Sequence, residues 1–295
     1  MILKNIIKTR NLSLGAAQFG QIKYSHYFRG IISPGELKKI INYSYKMNIR
    51  HIDTSLDYKG VSEKLSKTNL SFRNFKITTK VRQPKIDEKN YSKKILKLLE
   101  EDLKKLKLKN YYAILLHNCK NLSKIQIEEI EKLKNLTIEK NLTKNFGFSI
   151  YDKKEYFRIS KHFLPHIVQL PFSIVDSDLN KINFIRYLRK KKIKVQARSI
   201  FLKGILLNNV PKKKFFKDNR FQNFKKKFNF FCKKKNISEI SACINYVLNK
   251  NYFESVVFGV LSLRELISIL NTKKQKNINI NFGIPKKYIR IDLWK

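Results

Sequence analysis

Eight short runs rich in Val, Ile, Leu and Phe recur along this chain of 295 residues, with helix-length stretches between them. The runs are LSLGAAQFG, HIDTS, KITTKV, YAILLHN, FGFS, IVQLPFSI, KVQARSI and SVVFGV. Strands separated by helices return to the same edge of the sheet and lie parallel. Eight of them favour closure into a barrel over an open doubly wound sheet. A (β/α)8 barrel takes ~250 residues, so residues 1–295 accommodate a single domain of that kind. The expected class is therefore α/β, a (β/α)8 or TIM barrel. No GxGxxG follows the first run, which argues against a Rossmann site.

The connecting helices are expected over Ser33 to Met47, Asp87 to Leu106, Leu122 to Asn141, Lys153 to His162, Lys181 to Lys191, Phe221 to Lys235 and Ser238 to Leu248. Ser33-Pro34 followed by Glu36 supplies a cap residue and a first-turn Pro for the first of these. The tract PKKKFFKDNRFQNFKKKFNFFCKKK has the composition of an RNA-binding segment. Its Phe221, Phe224, Phe228 and Phe231 recur at helical spacing, however, which predicts an amphipathic helix packed on the barrel with a solvated Lys face.

A (β/α)8 barrel gathers its chemistry at the C-terminal ends of its strands. Four polar residues sit there: Asp53 in HIDTS, Tyr58 in the loop after it, Lys80 in FKITTKV and His117 in YYAILLHN. A phenol titrates near pH ~10 in water, too high for easy proton donation at neutrality. A neighbouring ammonium favours the phenolate and lowers that value, and a carboxylate can hold the ammonium in place.

The order and spacing of these residues resemble the aldo-keto reductase superfamily. Asp53-Thr54-Ser55-Leu56-Asp57-Tyr58 matches its Asp-x4-Tyr element, with Lys59 inserted between the Tyr and the following Gly. LSLGAAQFG, ILLHN, NFGFSIY, VQLPFSIVD, VQARSIFLKGILL and SVVFGVLSLREL resemble further barrel strands in family order. The resemblance implies hydride transfer from a reduced nicotinamide to a small aldehyde, ketone or sugar-like carbonyl. Tyr58 is then the proton donor, Lys80 tunes it, Asp53 orients Lys80 and His117 orients the carbonyl.

By the same resemblance Ser149 and Gln169 hold the nicotinamide carboxamide. Arg198 stands where many members stack a Tyr on the ring, and Ser199 and Leu202 lie along the pyrophosphate. After the last strand, Gly259 and Glu265 occupy positions where many members grip the adenosine 2′-phosphate with Lys and Arg, and Arg264 is one residue off. NADPH is expected ahead of NADH by a narrow margin. No metal ligand set is expected.

Net charge is +42, carried mostly by Lys spread along the chain. Codon-driven composition bias accounts for that spread more simply than a nucleic-acid role. The field would still draw anionic cofactors and phosphorylated substrates. No run is long and apolar enough to span a bilayer, and Lys4, Asn5, Lys8 and Arg10 break up any signal-like N-terminus. Three cysteines, Cys119, Cys232 and Cys243, without ligand spacing fit a reducing cytoplasm, with Cys119 a bystander rather than a reactive thiol. The functional alternatives are a dinucleotide-binding barrel with a regulatory or interaction role, and a basic nucleic-acid-binding protein.

Overall fold

Strands rich in β-branched and aliphatic residues alternate with capped amphipathic helices in the structure, a computed structural model that describes residues 7, 9–20, 31–207, 214–276, 278 and 284–290. The strands are β1 (Leu12–Gly15), β2 (His51–Asp53), β3 (Lys76–Arg82), β4 (Ala113–His117), β5 (Phe146–Ser149), β6 (Ile167–Pro171), β7 (Lys194–Arg198) and β8 (Ser255–Phe258). They pair in sequence order, all parallel, and form a closed barrel. The closing pair matches Leu12 with Val256, Ser13 with Val257 and Leu14 with Phe258. The expected (β/α)8 architecture is the one observed.

Successive strand residues point to opposite faces. Leu12, Leu14, Ile52, Phe146, Phe148, Val168, Leu170, Val256 and Phe258 face outward and join the helix stripes in one continuous core. Within the barrel lies a separate small apolar cluster of Ala113, Leu115 and Ile167, with Tyr112 packed on it. Much of the remaining interior is polar yet buried, including Ser13, Thr78, Lys80, Gln169, Gln196 and Ser255.

The helices are α1 (Pro34–Lys46), α2 (Val61–Ser66), α3 (Tyr91–Leu106), α4 (Lys124–Glu139), α5 (Lys153–Ile159), α6 (Leu179–Lys190), α7 (Asn219–Lys234), α8 (Glu239–Leu248) and α9 (Leu263–Leu270). Ser33 caps α1 by accepting from Glu36 N. α4 starts two residues later than expected, on a capping box between Ser123 and Gln126. α6 starts two residues earlier than expected, because Asp178 caps it.

α3 begins at Tyr91 rather than Asp87. Asn90 is left-handed (φ 57°), which no helix interior tolerates. Glu88 is drawn off as well, into a two-pronged pair with Arg82 at 2.5 and 2.6 Å.

In the basic aromatic tract, Phe221, Phe224 and Phe228 are buried. Phe221 meets Tyr288 at 5.4 Å between ring centroids, and Phe224 stacks on Phe228 at 6.0 Å. The stripe is core, as its spacing predicts; residues 211–213 of the tract lie outside those described. No helix among the described residues is long and apolar enough to cross a membrane.

Candidate active site

Register brings the first two polar residues together. Asp53 on β2 pairs with Thr78 on β3, so Lys80, two residues further on, points to the same interior face. The Lys80 Nζ donates to Asp53 Oδ2 at 2.7 Å and to the Thr54 carbonyl at 2.9 Å. Lys80 is 1 % exposed, so the ammonium depends on those acceptors. Burial pulls its pKa below the ordinary lysine value; Asp53 opposes that and Arg198 adds to it.

Tyr58 is placed by backbone turns. Its N–H donates to the Ser55 carbonyl at 3.0 Å, and its own carbonyl accepts from Val61 N at 3.1 Å. Ser55 is in turn anchored by its hydroxyl to the Lys80 carbonyl at 3.2 Å. Gly60 makes this turn possible: its φ of 74° is left-handed, and α2 starts immediately after it. The phenol ring ends up with its centroid 5.6 Å from Lys80 Nζ and edge-on to His117 at 6.1 Å.

His117 closes β4 and has an unforeseen partner. Its Nδ1 lies 3.5 Å from an Asp57 carboxylate oxygen. Burial lowers its pKa; Asp57 opposes this, while Lys80 and Arg198 reinforce it. The net direction is down, which favours the neutral ring. Asp53, Tyr58, Lys80 and His117 line one cavity of about 790 Å³ at the C-terminal mouth of the barrel.

Ser149 and Gln169 line the same cavity. The Ser149 hydroxyl donates to Gln169 Oε1 at 3.4 Å. Gln169 Nε2 donates to Asp53 Oδ1 at 2.7 Å and to Gln196 Oε1 at 3.1 Å. Gln196 Nε2 continues to Thr78 Oγ1 at 3.3 Å. The two sides of the mouth are thus joined by one buried polar chain. Gln196 and Thr78 escape a motif-based reading. Their signal is a polar residue at an inward register position, as with Gln196 between buried Val195 and Ala197.

Arg198 ends β7 and reaches back over the barrel. Its Nη2 donates to the Ile150 carbonyl at 3.2 Å, and its Cζ lies 4.3 Å from the centre of the Tyr151 ring. Ser199 follows in a left-handed conformation (φ 60°), as do Leu202 (49°) and Lys203 (52°). Ser199 and Lys203 line the cavity. Leu202 is 3 % exposed and packs into the core instead.

Across the mouth, Gly259 and Glu265 line the cavity, whereas Arg264 is exposed and outside the lining. A Cβ on Gly259 would come within 2.4 Å of Gln18 Oε1. Glu265 Oε2 accepts from Leu261 N at 2.8 Å, and Glu265 N donates to the Ser262 hydroxyl at 3.1 Å. These two bonds cap the start of α9, with Arg264 exposed beside them. Cys119 is fully buried, and burial raises its thiol pKa well above the ordinary value, so it is the bystander expected.

The family model of the aldo/keto reductase family matches residues 11–286. No match was found among curated proteins. Among solved structures, the protein PA4992 of Pseudomonas aeruginosa, assigned to the aldo-keto reductases, is similar at 16 % identity and a TM-score of 0.64, covering 90 % of each chain. An aldo-keto reductase of Bacillus halodurans in its holo form is similar at 15 % identity and a TM-score of 0.69, covering 89 % of this chain and 86 % of that one. At such identities the structural likeness carries the fold.

Proposed function

The chain belongs to the aldo/keto reductase family, and from that premise we propose that it reduces a small carbonyl compound to an alcohol at the expense of NADPH, with NADH as a weaker substitute. The observation that carries this reading is the convergence of Tyr58, Lys80, Asp53 and His117 in one cavity. The residues around it suit a dinucleotide. Ser149 and Gln169 offer a hydroxyl and an amide at the cavity wall, Gly259 forms part of the opposite side, and the lining carries more cations than carboxylates. A volume of about 790 Å³ lies within the usual range for cofactor and small-molecule sites.

A bound reduced nicotinamide supplies a hydride to the carbonyl carbon. The Tyr58 hydroxyl delivers a proton to the carbonyl oxygen as negative charge builds there. Lys80, beside the phenol ring, stabilises the phenolate left behind, and Asp53 keeps Lys80 in register. His117, edge-on to Tyr58, confines the oxygen between two polar groups. Gln169 belongs to both halves: it faces the cavity and holds Asp53 from behind.

Three free, buried cysteines support a reducing cytoplasmic setting. The test is an absorbance assay of NADPH and NADH oxidation against aldehydes, ketoses and nucleotide sugars. Turnover with at least one carbonyl class is expected. Tight dinucleotide binding with no turnover on any of them would overturn the reductase reading in favour of a regulatory barrel.

A further inference from the structure

The contact between Asp57 and His117 bears on which nitrogen of the ring carries a proton. Asp57 is fixed on both sides by its own turn. Its N–H donates to the Ser55 hydroxyl at 3.2 Å, and its carbonyl accepts from Lys59 N at 3.1 Å. His117 is fixed by register, between Arg82 on β3 and Ser149 on β5. The two side chains meet at 3.5 Å through Nδ1 of the ring. Arg82, the other basic group on which Asp57 acts, is engaged by both carboxylate oxygens of Glu88.

His117 lines the cavity and Asp57 does not. The ring thus turns its Nδ1 side to the carboxylate, and Nε2 is the nitrogen left for the cavity. Among the described residues, none hydrogen-bonds Nε2. A neutral imidazole carries one proton, and the partner of each nitrogen decides where it sits. Beside Asp57 that proton belongs on Nδ1, because a bare Nδ1 lone pair would face a negative charge. Nε2 then presents a lone pair and cannot donate to a carbonyl oxygen. Only the imidazolium donates from both nitrogens.

Resting on the reductase reading, we propose that Asp57 is a positioning residue that locks neutral His117 in its Nδ1–H form, so that His117 donates to the substrate carbonyl only as the imidazolium. The neighbours of the ring set when that form exists. Asp57 favours it, while burial, Lys80 and Arg198 oppose it. Arg82 and the Tyr58 phenol flank the ring as well. The protonated form is present at low pH and is lost as pH rises through the pKa of His117. That pKa lies below the ordinary histidine value of ~6.5, so the loss comes on the acid side of it.

The test reads the tautomer and the catalysis separately in the full-length protein. With isotope label at the histidine nitrogens, long-range proton–nitrogen correlation spectra report which nitrogen of His117 is protonated. His117→Gln supplies the assignment among the five histidines. Above its titration the wild-type ring should carry Nδ1–H. Asp57→Asn, whose amide can offer Nδ1 an acceptor or a donor, should shift the ring toward Nε2–H. In the wild type, kcat/KM for reduction should fall about 10²-fold as His117 deprotonates, the worth of one donor to a developing oxyanion. In Asp57→Asn the fall should shrink to about tenfold or less, because the neutral ring can then donate. Asp57→Ser gives the same comparison should Asp57→Asn disturb the turn. Curves that fall in parallel would mean that Asp57 only supports the turn, and would overturn the proposal. A wild-type ring protonated on Nε2 overturns it too. If no carbonyl is reduced, the reductase reading fails by itself, and the spectra alone decide whether Asp57 sets the tautomer.

Discussion

The two halves of the barrel mouth are built on different plans. On the β2–β4 half, Asp53, Tyr58, Lys80 and His117 touch or face one another within a few residues of their strand ends, and the central pair is closed at 2.7 Å. On the β5–β8 half, the groups suited to a dinucleotide are spread over a left-handed loop after β7, a glycine after β8 and the start of α9. The first half is centred on a buried ion pair, in which moving either partner away would strand the other's charge. The second is held mainly through backbone conformation. Chemistry that moves a proton over a short distance needs the former; a long polyanionic cofactor can be held by the latter.

The sharpest way to break this comparison is Tyr58→Phe. Removing the hydroxyl keeps the shape and deletes the proposed proton donor, so carbonyl reduction should fall about 10²–10⁴-fold. Dinucleotide affinity, which the proposed function assigns to the other half, should stay nearly unchanged by fluorescence titration. Turnover like that of the wild type would dissolve the distinction between the halves.

Lys80→Met is next in size. It leaves the Asp53 carboxylate buried without its cation, which costs about 3–5 kcal/mol in stability, read from urea denaturation midpoints. It should also move the pH–rate profile. Activity that needs a protonated Tyr58 falls as pH rises through the tyrosine pKa. Losing the ammonium raises that pKa, so the falling limb shifts to higher pH. An unmoved limb would mean that Lys80 does not act on Tyr58.

Gln169→Leu tests the bridge between the halves. It removes a donor to Asp53 at 2.7 Å and one to Gln196 at 3.1 Å, leaving buried acceptors short of partners at about 1–3 kcal/mol. Both kcat and cofactor KM should suffer, whereas a residue serving only the dinucleotide would change KM alone.

The smallest effect concerns cofactor choice. Glu265 lines the cavity and Arg264 is exposed outside it, so a 2′-phosphate bound on this side would meet little directed positive charge. NADPH should bind only modestly tighter than NADH. A preference of a thousandfold, ~4 kcal/mol, measured by titrating both cofactors, would show that the cavity grips the 2′-phosphate through other groups.

The same contrast explains what the sequence disclosed. The barrel was legible from strict alternation, and Asp53, Tyr58, Lys80 and His117 from their places at strand ends. Asp57 was not, because its pairing with His117 depends on how the turn after β2 folds back toward β4. Gln196 and Thr78 were not, because they carry meaning only once the register of five strands is known. Leu202 and Arg264 sit at the expected places along the chain. A left-handed backbone buries the first, and the second stands exposed beside the Ser262–Glu265 cap. Side-chain direction in loops is set by dihedral angles that residue identity only weakly specifies.

The polar chain inside the barrel has a consequence for how the chain assembles. Eight short parallel strands can close in more than one stagger, and apolar packing alone distinguishes poorly among them. A slip of one residue in β2, β3, β6 or β7 would turn Asp53, Lys80, Gln169 or Gln196 outward, against the apolar faces of the helices. Each stranded group would cost about 1–3 kcal/mol, more for the charged ones. The row from Ser149 to Thr78 therefore acts as a checksum on barrel closure: it is satisfied in one stagger, and a misaligned barrel fails it before any substrate arrives.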